Sequence, residues 1–254
     1  MNRLARINVV LPVYNPPFEW EKSALASCYF IRETAPLFDW QFHFVNDGSP
    51  DPSVFDALRQ RCGRFIHLHE YAQNQGKGHA IRHGFQEAGR STFYMHSDWD
   101  FPFGEQLLVK AASELRYTDI ILANRGNEYY THLPRFRQVI SYSQRLFNSY
   151  VLRLNETDTQ AGFKAFNTEG AKVFRETTIK EFLFDTEFVA MSQNLGLKMR
   201  SLNVVCQKGL VFKNFSSNVL NRELNHLPKL LKARYVKSYV KKAVFAPDYR
   251  FRRV

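Results

Sequence analysis

Short apolar runs, separated by polar turns bearing glycine and proline, set the rhythm of the first half of the chain. Ile7-Asn8-Val9-Val10-Leu11, closed by Pro12, reads as a buried strand. Residues 40–45, 65–69, 92–96 and 119–123 repeat that pattern. Between them, residues 19–34, 52–61, 77–88 and 104–115 carry apolar positions at helical spacing. Pro52 stands near the start of its helix, where a missing N–H costs nothing. Strands alternating with helices predict an α/β fold with a mostly parallel sheet and helices on both faces. Ligands bind such sheets beyond the carboxyl ends of the strands. The polar clusters Tyr14-Asn15, Asn46-Asp47-Gly48-Ser49 and Ser97-Asp98 all follow strands, so they should converge on one edge.

The second half is less regular. Residues 136–153 read as one long amphipathic helix carrying Arg137 and Arg145. A polar stretch, Asp158-Thr159-Gln160-Ala161-Gly162-Phe163-Lys164, leads into a short strand at 165–167 and a helix at 168–176. Phe182-Leu183-Phe184-Asp185-Thr186-Glu187 opens a further helix that ends at Leu195, with Gly196 as its C-cap. A strand at 198–205 precedes the tail. No repeat or low-complexity linker interrupts the chain, so one domain is expected: residues 1–221 as its body and 222–254 as a C-terminal segment of the same domain.

Composition adds three constraints. With 254 residues, 44% hydrophobic and 23% charged, the chain is long and apolar enough to bury a substantial core. No apolar run approaches the roughly 18–20 residues that span a bilayer. Without a signal-peptide pattern the expected location is cytoplasmic. Cys28, Cys62 and Cys206 are scattered and odd in number, which suggests reduced thiols. Of the +11 net charge, residues 222–254 supply +8, from ten Lys or Arg against two acidic residues.

The sharpest candidate chemistry is Asp98-Trp99-Asp100, which follows the strand at 92–96. Side chains alternate along extended chain, so both carboxylates aim roughly the same way at the sheet edge. Their mutual repulsion is relieved by a hard divalent cation, Mg2+ or Mn2+, which also binds phosphate oxygens. An ordinary acidic turn is the plain alternative.

Four motifs stand in order: Val10-Leu11-Pro12-Val13-Tyr14-Asn15, Val45-Asn46-Asp47-Gly48-Ser49-Pro50-Asp51, Asn74-Gln75-Gly76-Lys77-Gly78 and Asp98-Trp99-Asp100. Together they resemble the family 2 glycosyltransferases of the GT-A fold. Residues 158–164 and Phe184-Asp185-Thr186-Glu187 resemble later motifs of the dolichyl-phosphate mannosyltransferase and polyprenyl-phosphate glycosyltransferase branch. The likeness covers about residues 7–205 and implies that residues 1–221 form a catalytic domain, to which the apolar runs add no transmembrane helix.

That resemblance implies roles. Pro12, Tyr14, Asn15, Asp47, Lys77 and Asp98 would hold the nucleotide of a UDP- or GDP-sugar donor. Asp98 and Asp100 would hold the metal on its diphosphate. Arg125 and Arg137 would contact phosphate, Lys213 would replace an arginine of a late motif, and Asp158, Gln160 and Lys164 would line the acceptor side. Asp185 or Glu187 would act as general base if the acceptor is a sugar hydroxyl, whereas an ionised lipid phosphate needs none. The backbone amides at Gly76-Lys77-Gly78 would face the nucleotide from a helix N-terminus. The chain departs from the family at Asn46, usually aspartate, at Ala123-Asn124, usually Gly-Ser, and at Trp99, usually small. His79 and His96 fall near the expected site and receive no role.

In the tail, Leu227, Leu230, Leu231, Tyr235, Tyr239, Val240, Ala243 and Val244 recur at three- and four-residue spacing among lysines and arginines. Such a basic amphipathic helix fits either an anionic membrane surface or packing against the body. No nucleic-acid module accompanies the charge. Three readings follow: metal-dependent, inverting sugar transfer to a polyprenyl phosphate or other membrane-linked acceptor; transfer to a saccharide hydroxyl; or a silent nucleotide-sugar-binding or scaffold protein.

Overall fold

The computed structural model describes residues 4–61, 63–131, 133–206 and 223–236. The first apolar run forms strand β1 (Ala5–Val13). Its Ile7, Val9, Val10 and Leu11 are wholly buried, as a central strand covered on both faces requires. There follow α1 (Trp20–Thr34), β2 (Phe38–Asp47), a 3-10 turn at Pro52–Phe55 running into α2 (Asp56–Arg61), and β3 (Ile66–Tyr71). Next come α3 (Lys77–Ala88), β4 (Phe93–His96), α4 (Gln106–Glu114) and β5 (Ile120–Asn124). The second half contains α5 (Gly126–Thr131), α6 (Arg135–Leu146), β6 (Lys164–Asn167), α7 (Thr168–Arg175), α8 (Phe184–Leu195), β7 (Met199–Asn203) and α9 (Leu227–Tyr235).

The seven strands make one sheet in the order β3-β2-β1-β4-β6-β5-β7. β6 runs antiparallel to both its neighbours, and the other pairs are parallel. Register then places the site. Val13 pairs with Asn46, Asp47 with Tyr71, and Val10 with His96, so β1 to β4 end on one edge. Because β6 is inverted, its first residue, Lys164, lies beside His96 at that same edge.

Alternation along β1 divides the core. Ile7, Val9, Leu11 and Val13 pack with α1 and α4 residues on one face. Val10 packs with Ile81 and Phe85 of α3 and Phe188 of α8 on the other. Gly196 closes α8 in the left-handed region at φ 78°, as expected for a C-cap.

Two elements differ from the sequence expectation. The helix predicted over 136–153 stops at Leu146 and continues as a π-helical turn over Phe147–Val151. The wider turn redirects the chain so that Leu152 and Leu154 enter the core, although α6 itself buries no residue. Of the two roles open to the tail, Leu227–Tyr235 takes the packed one. Leu230 and Ala233 are fully buried, in a cluster shared with α8. Asn194 donates to the Ala233 carbonyl at 2.9 Å, and Arg234 Nε donates to the Leu152 carbonyl at 2.7 Å. The remainder of the expected tail helix, beyond 236, lies outside the described residues. Among the described residues no helix is long and apolar enough to cross a membrane.

Candidate active site

Asp98 and Asp100 leave the end of β4 at the shared edge, and Trp99 turns the other way. Its ring meets Trp20 edge to face, with centroids 5.3 Å apart, against the core. A large residue between the carboxylates therefore anchors their turn to α1. Phe101 supports the turn from the far side: it is buried, has φ 44°, and donates its amide to the Asp98 carbonyl at 3.1 Å.

The two carboxylates have different partners. Lys77, at the start of α3, places Nζ 2.5 Å from Asp98 Oδ1. Burial alone would lower the lysine pKa, but Asp98 first, then Asp185 and Asp100, raise it. Asp100 is exposed, and partial burial of its carboxyl, followed by the charge of Asp98, raises its pKa. This is the excess negative charge that a cation relieves. The donor set, two carboxylates, suits a hard oxygen-seeking ion. Among the described residues no cluster of three or more His, Cys, Asp or Glu could enclose a metal. A fit is therefore to Mg2+ or Mn2+ held mainly by diphosphate and water oxygens, with Asp100 and Asp98 as protein ligands.

On the donor side, Tyr14 and Asn15 are exposed beyond β1, and Asn15, at φ 46°, donates its amide to Ser49 Oγ at 3.0 Å. Pro12 is half-buried next to them. Two expectations need correction here. Asp47 is buried and saturated: Oδ1 accepts from Tyr71 Oη at 2.6 Å and the Gln75 amide at 2.8 Å. Its Oδ2 accepts from Asn74 Nδ2 at 3.0 Å and the Gly76 amide at 3.1 Å. Asp47 ties the 74–76 loop to β2 and has little capacity left for a base or ribose. Nor do the first amides of α3 face a nucleotide. Gly78 and His79 both donate to the Lys180 carbonyl, at 2.7 and 3.3 Å. Gly76, at φ 97°, lets that carbonyl approach, since a Cβ there would meet it at 2.7 Å.

On the acceptor side, residues assigned to ligands hold one another. Arg125 and Asp158 form a fork, with Nε 3.1 Å from Oδ2 and the Arg125 amide 2.8 Å from the same oxygen. The Arg125 guanidinium also lies over the Tyr129 ring, 4.5 Å from its centroid. Burial would raise the Asp158 pKa, but Arg125 overrides it and the carboxylate is held low. Gln160 donates to the Phe182 carbonyl at 3.0 Å. Arg137 sits on α6, and Lys213 lies outside the described residues.

Beneath them lies a buried charge cluster. Lys164 is 1% exposed, with Nζ 3.1 Å from Asp185 Oδ1 and 2.8 Å from the Ala161 carbonyl. His96, fully buried, has Nε2 3.5 Å from the same Asp185 oxygen. Burial pushes Lys164 and His96 down. For Asp185, burial acts upward, but Lys164, His96 and Lys77 together bring its pKa below the usual range. Asp185 is thus a buried, ion-paired carboxylate and not a base poised at an open acceptor site. Glu187 is corrected likewise. It is fully buried, with Oε2 accepting the Thr178 and Ile179 amides at 2.8 Å each and Oε1 accepting from Thr178 Oγ1 at 3.0 Å. It fixes the turn before α8.

Sequence reasoning passed over three contributors. Gly162 presses against Asp98, His96 joins the Lys164–Asp185 pair, and buried Glu223 accepts the Phe182 and Leu183 amides at 2.9 and 3.1 Å. Gly162 carried a signal, as a glycine within a polar motif. Glu223 carried none, since it touches the site only through chain folding.

No family model matches the chain. It is 27% identical over 215 residues to a dolichyl-phosphate β-glucosyltransferase of Drosophila melanogaster, covering 78% of this chain and 66% of that one. It is 27% identical over 207 residues to the glycosyltransferase AglD of Haloferax volcanii, covering 78% of this chain and 32% of that protein. The match thus spans just under two thirds of the length of the glucosyltransferase. Among solved structures, mannosyl-3-phosphoglycerate synthase from Rubrobacter xylanophilus has a TM-score of 0.64 at 16% identity, over 92% of this chain and 75% of that one. Glucosyl-3-phosphoglycerate synthase from Mycobacterium tuberculosis, in complex with Mn2+, UDP and phosphoglyceric acid, has a TM-score of 0.61 at 16% identity, over 91% and 78%. The fold is therefore that of the GT-A glycosyltransferases. Within that class the chain's homologues are dolichyl-phosphate β-glucosyltransferases, of the polyprenyl-phosphate branch of family 2 that the motifs resemble.

Proposed function

We propose that this chain transfers a hexose from a nucleoside-diphosphate sugar to a polyprenyl phosphate, with inversion. One observation carries the choice of acceptor. Asp185 and Glu187, the acceptor-side carboxylates that could have served as base, are 4% and 0% exposed and are held by partners inside the protein. A sugar hydroxyl needs a base to become a nucleophile, whereas a phosphate monoester is already ionised near neutral pH. In the proposed step a phosphate oxygen attacks the anomeric carbon in line as the bond to the donor's β-phosphate oxygen breaks. The electron pair leaves with the nucleoside diphosphate and no proton need be moved.

A divalent ion held by Asp98 and Asp100 would stabilise the negative charge that develops on the leaving diphosphate. Lys77 orients Asp98 through their ion pair. Exposed Tyr14 and Asn15, with half-buried Pro12, form the donor rim, with Asp47 holding the loop beside it. The Arg125–Asp158 fork and the Lys164–Asp185 pair shape the acceptor wall. Glucose from UDP-glucose is the first donor to test, since the glucosyltransferase relatives are named for that sugar and the Mycobacterium structure holds UDP.

The test pairs two acceptors on one carbon skeleton. The full chain is given radiolabelled UDP-glucose or GDP-mannose, Mg2+ or Mn2+, and either a polyprenyl phosphate or the matching polyprenol in detergent. Transfer to the phosphate and not to the alcohol is expected. Transfer to the alcohol or to a free saccharide, with none to the phosphate, overturns the proposal. Donor binding without transfer or hydrolysis under any condition supports the silent-binder reading.

A further inference from the structure

Helix α6 presents an apolar face outward. Phe136, Val139, Tyr142, Leu146 and the following Tyr150 are 63%, 63%, 65%, 38% and 75% exposed. Their spacing of three or four residues places those of α6 within about 120° of one side at 100° per residue. A face of that kind is normally the one turned inward, yet α6 contributes no buried residue. Large apolar side chains in a contiguous exposed row mark an interaction surface.

The row does not end with α6. Arg234 and Tyr235 of α9 donate to the carbonyls of Leu152 and Val151, which ties α9 to the end of the π-helical turn that follows α6. Tyr235 and Leu231 of α9 are 49% and 40% exposed, so α9 adds apolar side chains near the end of that turn. Around it, Arg135, Arg153, Lys229 and Lys232 are all exposed. Between Arg135 and Asn155 the sequence holds four arginines and no acidic residue, and the same absence of acid runs from Leu224 to Pro247.

We propose that this α6–α9 face docks on an anionic lipid surface. Charge complementarity selects that occupant. Exposed tyrosines and phenylalanine beside arginine and lysine, with no acid among them, match the headgroup–acyl boundary of an anionic bilayer. A second copy of the chain would bring the same positive charge against itself. The face is also tied to the candidate site. Asn148, buried in the π-helical turn, donates to the Thr157 carbonyl at 2.9 Å and to Thr159 Oγ1 at 3.1 Å, and Thr159 meets Thr186 Oγ1 at 2.7 Å. Docking therefore bears on the acceptor loop and on α8, which carries Asp185. The surface gives the lipid acceptor proposed above a route of approach, and to that extent rests on that reading; the binding itself does not.

The experiment is vesicle flotation of the full chain, without donor or acceptor. It compares phosphatidylcholine vesicles with vesicles containing phosphatidylglycerol, at low and high salt. Binding to the anionic vesicles, weakened by salt, is expected. The double variant Tyr142→Glu/Tyr150→Glu should reduce it about tenfold or more, with an unchanged circular dichroism spectrum. A second variant, Lys237→Gln/Lys241→Gln/Lys242→Gln, removes charge from the distal tail and should have the smaller effect. The proposal is overturned if the chain binds no vesicle, or if only the tail variant loses binding. It is also overturned if the tyrosine variant changes the oligomeric state by light scattering and leaves vesicle binding intact. Failure of sugar transfer with vesicle binding retained would count against the proposed function alone.

Discussion

A Cβ on Gly162 would stand 2.3 Å from Oδ2 of Asp98, so the backbone of the acceptor loop rests directly on a carboxylate of the candidate metal site. That contact fixes the Asp98 side chain from one side while Lys77 holds it from the other. Gly162→Ala should displace the carboxylate or push the loop away, at an overpacking cost of about 1–3 kcal/mol. Mn2+-dependent binding of the nucleotide donor, measured by calorimetry, should weaken about tenfold or more, well beyond what the stability loss explains. Unchanged binding would show that Asp98 is not a ligand.

Among the described residues Asp100 forms no ion pair like that of Asp98 with Lys77, and partial burial first, then the charge of Asp98, raises its pKa. Asp100→Ala should therefore remove metal-stimulated transfer, by about a hundredfold or more, while folding survives because the side chain is exposed. Donor turnover against Mn2+ concentration, with thermal unfolding as a control, reads both. Transfer at the wild-type rate would remove the metal from the mechanism.

Much of this arrangement was legible from the chain alone, for identifiable reasons. β1 and β4 are apolar runs that declare themselves as buried strands, and parallel strands must deliver their carboxyl ends to one edge. That logic put Tyr14, Asp98 and Asp100 at one sheet edge, whereas the 158–164 stretch was singled out by resemblance. It could not find that Lys164 would be buried. Lys164 reaches His96 only because β6 enters the sheet antiparallel between β4 and β5, a pairing between segments 68 residues apart in number. The amides of α3 were misjudged for a similar reason: the Lys180 carbonyl that occupies them arrives from the turn before α8. Trp99 looked out of place until Trp20 supplied its partner. In each case a long-range contact that no local motif encodes decided what the side chain or amide touches.

The Lys164–Asp185 pair makes the next prediction. Both side chains are essentially without solvent, at 1% and 5% exposure, so neither charge tolerates loss of the other. Lys164→Met or Asp185→Leu alone should cost about 3–5 kcal/mol, because each leaves a buried charge unpaired. The double variant should recover much of that stability, since a buried ion pair and a packed apolar pair are often nearly equivalent. Transfer should stay low in the double variant, because the acceptor wall would have lost its charges. Denaturant unfolding of the three proteins gives the comparison. Additive single effects would mean that the pair does not interact.

His43 supplies a test of the core that is independent of any substrate. It lies on β2 at 4% exposure, with Nδ1 3.1 Å from His69 Nε2 and its ring stacked on His67 at 4.6 Å. Burial first, then the neighbouring His67, His69 and Arg6, bring its pKa from the usual 6.5 to about 3. The unfolded chain therefore takes up a proton near pH 6.5 that the folded chain refuses until about pH 3. Stability is complete above the unfolded value and falls as the pH drops below it. From pH 7 to pH 5 this one group should cost about 2 kcal/mol. Buried His96, whose pKa is also lowered, acts in the same direction. Guanidinium unfolding at the two pH values should show a loss at least that large in the wild type, and a loss smaller by about 2 kcal/mol in His43→Gln. Equal losses in the two proteins would mean that His43 accepts its proton in the folded state, and that the imidazole stack on β2 and β3 opens to water before the rest of the sheet.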